Sequence, residues 1–212
     1  MAVKLGLHDR ELSDIYLIEG IGVSSNVYVI GDNRLTLVDA GAGDEANQLV
    51  PKIKTLNLDP ANIEQIILTH GHFDHTGGIE EIAGVSSPKV LIHNSDSDDL
   101  ETYGLELVRL HDDAMLDAGN HHLQNIHTSG HTSGSTCTYD SRDKILFSGD
   151  TVFPEGSFGR TDLGGNNEEL VKSLERLTRL EVSFMLPGHM RPITRNGKLQ
   201  IQTSYQNALT WL

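Results

Sequence analysis

The segment from His70 to His75 places four potential metal ligands within six positions, in the pattern His-x-His-x-Asp-His. In an extended segment, side chains two residues apart point the same way, so His70 and His72 can bind one ion. Asp74 and His75 lie beyond the turn that follows and can face a second ion. Imidazole and carboxylate ligands together suit zinc, iron or manganese, so the segment predicts a metal site.

Three further apolar runs also end at a potential ligand. NIHTSGH ends at His131, ILFSGD at Asp150 and FMLPGH at His189. Open α/β sheets place their sites beyond the carboxyl ends of strands. We therefore expect these three side chains to converge with the His70–His75 segment.

Glycines accompany each of these ligands. A glycine precedes His131, Asp150 and His189, which predicts a tight turn at each position. Gly77 and Gly78 follow the first motif, and we expect their missing Cβ atoms to let backbone crowd the metal or its substrate.

The elements that must position these residues alternate between strands and helices. Runs of β-branched and aromatic residues predict strands at 15–19, 26–30, 34–41, 65–70, 89–93, 121–130, 135–140, 144–150 and 184–189. Helical spacing predicts helices at 44–56, 76–84 and 166–180, and an acidic helix capped by Asn94 or Ser95. Pro51 should kink or split the first helix. The C-terminal stretch fits a helix, although Asn196-Gly197 also fits a hairpin.

Composition limits the class of protein. No linker or repeat divides the 212 residues, which predicts one α/β domain over 1–212. Thirty acidic residues against 16 basic ones give a net charge of −14, which disfavours nucleic acid as a partner. The single cysteine, Cys137, excludes an intramolecular disulfide and is expected to be a small buried hydrophobe. With no signal-peptide or membrane-length apolar segment, we expect a cytoplasmic protein that does not bind membranes, and a homo-oligomer is left open.

The motifs together resemble those of the metallo-β-lactamase superfamily. HGHFDH (70–75), GHTSGS (130–135), SGDT (148–151) and PGH (187–189) stand in the order and spacing of that family. The resemblance implies the metallo-β-lactamase fold, a four-layer αββα sandwich of class α/β with its metal site at the strand ends. It also implies that two divalent ions bind, with zinc as the expected metal and iron or manganese as alternatives.

The resemblance assigns a role to each ligand. His70, His72 and His131 would hold the first ion, Asp74, His75 and His189 the second, and Asp150 would bridge them. The nucleophile would be a hydroxide held between the ions, which lower the pKa of water. Asp74 would also act in catalysis, by orienting the nucleophile or accepting its proton.

Other histidines have simpler interpretations. Structural or surface roles are expected for those that match no ligand position: His8, His93, His111, His121, His122 and His127. A structural metal clip is the alternative for the motif itself. Closed structural zinc sites favour cysteine, so a site rich in carboxylate and histidine indicates chemistry instead.

The segment GDTVFPEGSFGRTDLGG (149–165) carries the clue to the reaction, because it resembles glyoxalase II-like hydrolases, which cleave thioesters. Arg160 stands where those enzymes bind a substrate carboxylate, although an ion pair with Asp162 is an equal alternative. Two features depart from glyoxalase II: Asp162 replaces a tyrosine, and only 23 residues follow His189. The substrate is therefore predicted to be a small-molecule thioester or ester. A mononuclear-iron persulfide dioxygenase, a lactonase and a non-catalytic metal-binding scaffold remain as alternatives.

Overall fold

Two β-sheets pack face to face in the computed structural model, which describes residues 1–6 and 9–212. The first sheet has seven strands in sequence order, antiparallel from β1 to β4 and parallel from β4 to β7. They are β1 (Ala2–Lys4), β2 (Ile15–Ile18), β3 (Val27–Ile30), β4 (Leu35–Val38), β5 (Ile63–Ile67), β6 (Lys89–His93) and β7 (Leu107–Leu110).

The second sheet has five strands, in the order β12-β11-β10-β9-β8. They are β8 (Met115–Ala118), β9 (His121–His127), β10 (Thr136–Asp140), β11 (Ile145–Gly149) and β12 (Phe184–Pro187). Pairing is antiparallel from β8 to β11 and parallel between β11 and β12. Strands β9, β11 and β12 therefore run in one direction, and their carboxyl ends lie at the same edge of the sheet.

The described residues form five α-helices: α1 (Leu49–Thr55), α2 (Phe73–Thr76), α3 (Ile79–Ala83), α4 (Asn167–Leu177) and α5 (Gly197–Trp211). Helix α4 begins with a side-chain cap, because Asn166 accepts a hydrogen bond from the Glu169 amide at 3.0 Å. Helix α1 is capped by another helix. The carboxylate of Glu81 in α3 accepts hydrogen bonds from the amides of Leu49 and Val50, at 2.6 and 2.9 Å.

Three separate cores show that the molecule has four layers. The central core lies between the sheets and includes Tyr28 and Phe147, whose rings meet edge to face at 5.4 Å. One outer core joins the first sheet to α1 and α3 through Ile53 and Ile82. The other joins the second sheet to α4 and α5 through Leu174. The predicted fold, an αββα sandwich of class α/β, is confirmed.

Most of the predicted elements are present. Each predicted strand run overlaps an observed strand, although β5 begins two residues before the run expected at 65–70 and the strand expected at 121–130 ends at His127. The helix expected at 44–56 is split into a 3₁₀ turn, Glu45–Asn47, and α1, but the break is at Gln48, and Pro51, which was expected to cause it, lies within α1. The helix expected at 76–84 is divided between α2 and α3, and the C-terminal stretch is the helix α5 rather than a hairpin.

The prediction of an acidic helix after position 94 is wrong. Only one 3₁₀ turn forms, Asn94–Asp96, and His93 caps it by accepting a hydrogen bond from the Ser95 amide at 3.3 Å. Serine and aspartate side chains compete with helical hydrogen bonds, and this run has no apolar stripe to bury. Among the described residues, no helix is both long enough and apolar enough to span a membrane.

Candidate metal centre

Seven side chains from four loops meet at one edge of the sandwich. The loops follow β5, β9, β11 and β12, so the four strand ends converge as expected. Their donor atoms form three groups in which all atoms lie within 4.8 Å of one another: His70–His72–His131, Asp74–His75–His189 and His70–His75–Asp150.

The first group consists of three imidazoles around one point. His72 Nδ1 lies 3.1 Å from His70 Nε2 and 3.0 Å from His131 Nε2. Zn–N bonds of about 2.0–2.1 Å at tetrahedral angles place ligand nitrogens roughly 3.3 Å apart. The spacing therefore fits one ion held by three nitrogens.

The second group combines two imidazoles with a carboxylate. His189 Nε2 lies 3.3 Å from His75 Nε2 and 3.2 Å from Asp74 Oδ2. Asp74 Oδ2 and His75 Nε2 are 3.8 Å apart. These distances fit a second ion with two nitrogen ligands and one oxygen ligand.

Asp150 lies between the two groups. Its Oδ2 is 3.7 Å from His131 Nε2 and 3.5 Å from His189 Nε2, so one carboxylate reaches a ligand of each group. Its Oδ1 is buried and, among the described residues, makes no hydrogen bond, although His75 Nε2 lies 3.4 Å away. A buried carboxylate oxygen without a hydrogen bond is costly unless a cation binds it. The donor set therefore fits a shared position between two ions.

Outer partners fix which ring nitrogen faces the centre. His75 Nδ1 donates to Asp39 Oδ2 at 2.8 Å, and His131 Nδ1 donates to the Arg160 carbonyl at 2.6 Å. Thr69 Oγ1 lies 3.1 Å from His70 Nδ1 and also hydrogen bonds Asp39. Because Nδ1 is engaged in each of these rings, Nε2 is left to bind an ion.

Sequence reasoning missed Asp39. It follows β4 with a φ of 62°, a left-handed conformation that is uncommon for residues other than glycine. Its carboxylate accepts hydrogen bonds from the Thr69 amide at 2.8 Å and from His75. Asp39 thus connects the end of β4 to the first ligand loop. In the sequence, Asp39 is visible only as an aspartate at the end of a strand, and this position alone does not indicate that it binds Thr69 and His75.

Asp96 was also missed as a site residue. Its Oδ2 accepts hydrogen bonds from the Gly71 amide at 3.0 Å and the Thr132 hydroxyl at 2.6 Å, and its Oδ1 from the Gly134 amide at 2.7 Å. Gly71 lies between His70 and His72, and Thr132 follows His131. One carboxylate therefore joins the two loops that supply the first group.

Asn26 has a similar role beside the last ligand. Its side chain donates to the carbonyls of Pro187 and Met190, at 3.1 and 2.8 Å, on both sides of His189. The neighbouring amide of Ser25 donates to the Asp74 carbonyl at 2.9 Å. The loop before β3 therefore holds two ligand segments of the second group.

Some glycines near the ligands allow tight turns, and others allow the backbone to pass close to neighbouring atoms. Gly130 and Gly149 have positive φ values, as their predicted turns require. A Cβ on Gly188 would collide with Asp150 Oδ1, so only glycine lets this loop pass so near the ligands. The expectation for Gly77 and Gly78 is wrong: a Cβ there would strike the backbone of residues 40–42, not the metal centre.

Burial and neighbouring charge set the ionisation of the ligands. Burial lowers the pKa of His70 and His131, which favours the neutral imidazole that binds metals. For Asp150, burial acts to raise the pKa, but the surrounding imidazoles, His75 foremost, outweigh it and lower the value. For Asp74, burial is likewise outweighed, mainly by the hydrogen bond with His189. Both carboxylates are therefore charged at neutral pH.

Most of the remaining histidines have structural contacts. His93 and His127 stack with ring centroids 4.0 Å apart, and His127 Nε2 donates to the Ser133 carbonyl at 2.9 Å. His122 is exposed and pairs with Asp117. Cys137 is fully buried, and burial raises the pKa of its thiol to about 11. His8 lies outside the described residues.

His121 forms a second carboxylate cluster away from the seven donors. Its Nδ1 lies 2.8 Å from Asp140 and its Nε2 2.9 Å from Asp14. Its Nδ1, Asp140 and Asp143 are close enough together to hold an ion. However, both ring nitrogens are already paired with carboxylates, and Asp143 is paired with Arg142 at 2.7 Å. The contacts indicate a buried ion-pair network.

An open cleft of about 440 Å³ lies in front of the metal centre. Five of the seven predicted ligands line it: His72, Asp74, His131, Asp150 and His189. Arg160 also lines the cleft, but its guanidinium makes two hydrogen bonds to Asp162, at 2.6 and 2.5 Å. The ion pair weighed as an alternative for Arg160 is therefore present.

The sequence that forms this fold matches the model of a known family. Residues 20–189 match the family model of the metallo-beta-lactamase superfamily. The chain belongs to the metallo-β-lactamase superfamily.

Relatives of this superfamily member include several hydrolases. A probable metallo-hydrolase of Bacillus subtilis, YqgX, is 32% identical over 79% of this chain and 85% of its own length. The probable polyketide biosynthesis zinc-dependent hydrolase BaeB of Bacillus velezensis is 28% identical over 79% of this chain and 71% of its own. A hydroxyacylglutathione hydrolase of Maricaulis maris is 36% identical, but over 56% of this chain and 44% of its own.

Solved structures share the fold. TTHA1623, solved in a di-iron-bound form, is 28% identical with a TM-score of 0.70, over 84% of this chain and 93% of its own. TTHA1429 from Thermus thermophilus has a TM-score of 0.78 at 20% identity, over 93% of this chain and 80% of its own. ETHE1 from Myxococcus xanthus has a TM-score of 0.68 at 23% identity, over 84% of this chain and 76% of its own. At these identities the last two comparisons show the fold alone.

Proposed function

We propose that this protein is a dinuclear metal-dependent hydrolase that cleaves thioesters or related esters. The observation that carries the proposal is the position of Asp150, whose carboxylate reaches both ligand groups and has one oxygen without a hydrogen bond. A charged, buried carboxylate placed between the two ligand groups suits a position shared by two ions.

In this proposal the ligand groups divide between two ions. His70, His72 and His131 hold the first, Asp74, His75 and His189 hold the second, and Asp150 is shared. When bound, such a pair of divalent ions supplies an activated water at neutral pH and polarises a carbonyl oxygen.

Asp74 has a further role as the residue that orients the attacking water or accepts its proton. It is charged at neutral pH, because the hydrogen bond with His189 outweighs burial and lowers its pKa. It also lines the cleft, and its side chain is 18% exposed, so it can reach a water as well as an ion. The imidazoles of His75 and His189, at 3.8 and 3.2 Å, hold its carboxylate in place.

Zinc is the metal proposed, with iron as the alternative. Support for zinc comes from the nitrogen-rich ligand set and from the relative named as a zinc-dependent hydrolase. The relative solved in a di-iron form supports the two-ion arrangement and keeps iron open. Thioester chemistry is supported by the 149–165 segment and by the partial similarity to a hydroxyacylglutathione hydrolase.

Metal analysis together with substrate assays tests the proposal. The purified protein should hold two zinc ions per chain and hydrolyse thioesters. Asp150→Ala should lose at least one ion and lower kcat by roughly 100-fold or more, whereas the exposed Asp117→Ala should keep both ions. One iron per chain with oxygen uptake on persulfides would refute the hydrolase and favour the dioxygenase. Turnover of lactones without thioesters would favour a lactonase, and two ions without any turnover a binding scaffold.

A further inference from the structure

Part of the wall of the cleft is apolar. Five side chains from three segments form it: Val23, Phe73, Phe153, Phe158 and Leu163. Val23, Phe73 and Leu163 are 63, 66 and 54% exposed. Single exposed apolar residues are ordinary, but several that converge on one cleft mark a contact surface for a ligand.

Phe73 places this wall next to the reacting atoms. It stands between His72 and Asp74, so its ring projects from the same loop as a ligand of each group. The Phe153 ring, which also lines the cleft, lies 6.2 Å from the His189 ring. A group attached to the reacting carbonyl would therefore lie close to aromatic carbon.

The charge of the cleft offers little to an anionic group. Among the described residues that line it, Arg160 is the only lysine or arginine, and the Nε–Nη2 edge of its guanidinium is already paired with Asp162. The hydrogen bonds from Arg160 lower the pKa of Asp162 to about 2, so Asp162 is charged at neutral pH. A substrate carboxylate would have to compete with Asp162 for the guanidinium.

We propose that this cleft selects thioesters or esters whose acyl group is apolar, with the acyl chain packed against Phe73, Val23 and Leu163. The inference rests on the proposed hydrolase function. In biological thioesters the thiol belongs to a polar carrier molecule. The acyl chain is therefore the part of the substrate that packs against an apolar surface, and the carrier extends into solvent.

A series of acyl thioesters of one small neutral thiol, N-acetylcysteamine, tests the selection on the metal-loaded protein. Each fully buried methylene contributes about fourfold. In an open cleft we expect kcat/KM to rise at least tenfold from acetyl to hexanoyl. The succinyl thioester, which ends in a carboxylate, should be hydrolysed more slowly than the butanoyl thioester.

Two leucine variants at positions of similar exposure test whether the dependence on acyl-chain length arises in the cleft. Leu163→Ser should flatten the dependence on chain length. Leu199→Ser should preserve it, because Leu199 is 56% exposed on α5 and is not among the residues that line the cleft. Asp162→Asn releases Arg160 and should raise kcat/KM for the succinyl thioester relative to the butanoyl one.

Equal rates across the acyl series, or a preference for succinyl in the unchanged protein, would overturn this inference and leave the hydrolase proposal standing. The same holds if Leu163→Ser behaves like Leu199→Ser. Failure to hydrolyse any thioester in the series would instead refute the proposed thioester function.

Discussion

At the scale of single residues, the least obvious contributor to the metal centre is Asp96. It touches no ion in the proposed arrangement, yet its two oxygens join the backbone beside His70 and His72 to the loop that carries His131. Partners that orient ligands in this way are worth about 10- to 100-fold in metal affinity. We therefore expect Asp96 to position the ligands of the proposed first ion.

Asp96→Ala should weaken zinc binding by about 10-fold or more, measured by competition with a chromophoric chelator. The matched control is Asp98→Ala, because Asp98 is exposed and lies two positions further along the chain, outside the turn. Circular dichroism should show both variants folded. Unchanged zinc affinity in Asp96→Ala would contradict the positioning role.

Short sequence patterns predict a ligand only when the pattern itself contains the signal. His70, His72, Asp74 and His75 stand close together in the chain, and the other candidate ligands each follow a strand, so both features were visible. Asp39, Asp96 and Asn26 act through partners 25 to more than 100 positions away, and nothing in their immediate neighbours indicates those partners.

At the scale of elements, an ion-pair network links the two sheets. His121 at the start of β9 lies between Asp140 at the end of β10 and Asp14, which precedes β2. Asp143 and Arg142 complete the charged surroundings. Burial acts to lower the pKa of His121, but the hydrogen bonds with Asp14 and Asp140 outweigh it and raise the value.

The raised pKa predicts a pH dependence of stability. Because the folded value lies above the unfolded value of about 6.5, the stabilisation is complete below that pH and is lost as pH rises through the folded pKa. His121→Asn should therefore lower the free energy of unfolding by about 3 kcal/mol at pH 6, and by less at pH 9. Urea unfolding at both pH values measures this, with the exposed His122→Asn as control. A difference that grows toward pH 9 would contradict the charged network.

Helix α5 supports the wall of the cleft from behind. Asn207 donates to the Gly156 carbonyl at 2.8 Å, and Ser204 donates to the Ser157 carbonyl at 2.8 Å. Residues 153–158 form the turn that presents Phe153 and Phe158. The position of these two rings therefore depends on the docking of a helix whose sequence pattern alone was ambiguous.

Asn207→Ala should lower kcat/KM several-fold while metal content stays unchanged. Loss of one hydrogen bond should also lower Tm by about 2–4 °C. Gln202→Ala, exposed on the same helix, is the control. If kinetic constants in Asn207→Ala equal those of the control, α5 does not organise the cleft.

Helices and strands could be predicted from the sequence where the pattern of apolar and polar residues reflects which side chains are buried. Apolar runs such as KILFSG identify strands because both faces are buried. Strands β1, β7 and β8 were missed because their residues are partly exposed and mixed in character. The acidic helix expected after position 94 does not form, because Asn94 and Ser95, the expected caps, belong to a 3₁₀ turn instead. Asp96 accepts hydrogen bonds from neighbouring loops and not from a helical backbone.

At the scale of the whole molecule, the proposed ions connect both sheets and both halves of the chain. The His70–His75 segment follows a strand of the first sheet, whereas the other three ligands follow strands of the second. An ion bound only by the folded state adds its binding free energy to stability, about 4 kcal/mol at 1,000 times Kd. Metal binding should thus hold the two sheets together.

Removal of metal by a chelator should lower Tm by about 10 °C, measured by calorimetry. Restoring zinc should reverse the change. Asp150→Ala supplies the control, because a variant that has already lost an ion should respond less to the chelator. An equal fall in Tm in both proteins would contradict the coupling between the ions and the sandwich.

Glu81 has a consequence for the order of folding. Helix α1 has only seven residues, too few to persist alone, and its first amides are bound by a carboxylate that α3 supplies. Helix α1 therefore cannot be stable before α3 is in place, and the layer over the first sheet should open and close as one cooperative unit. Native-state hydrogen exchange should then give the amides of both helices the same opening free energy.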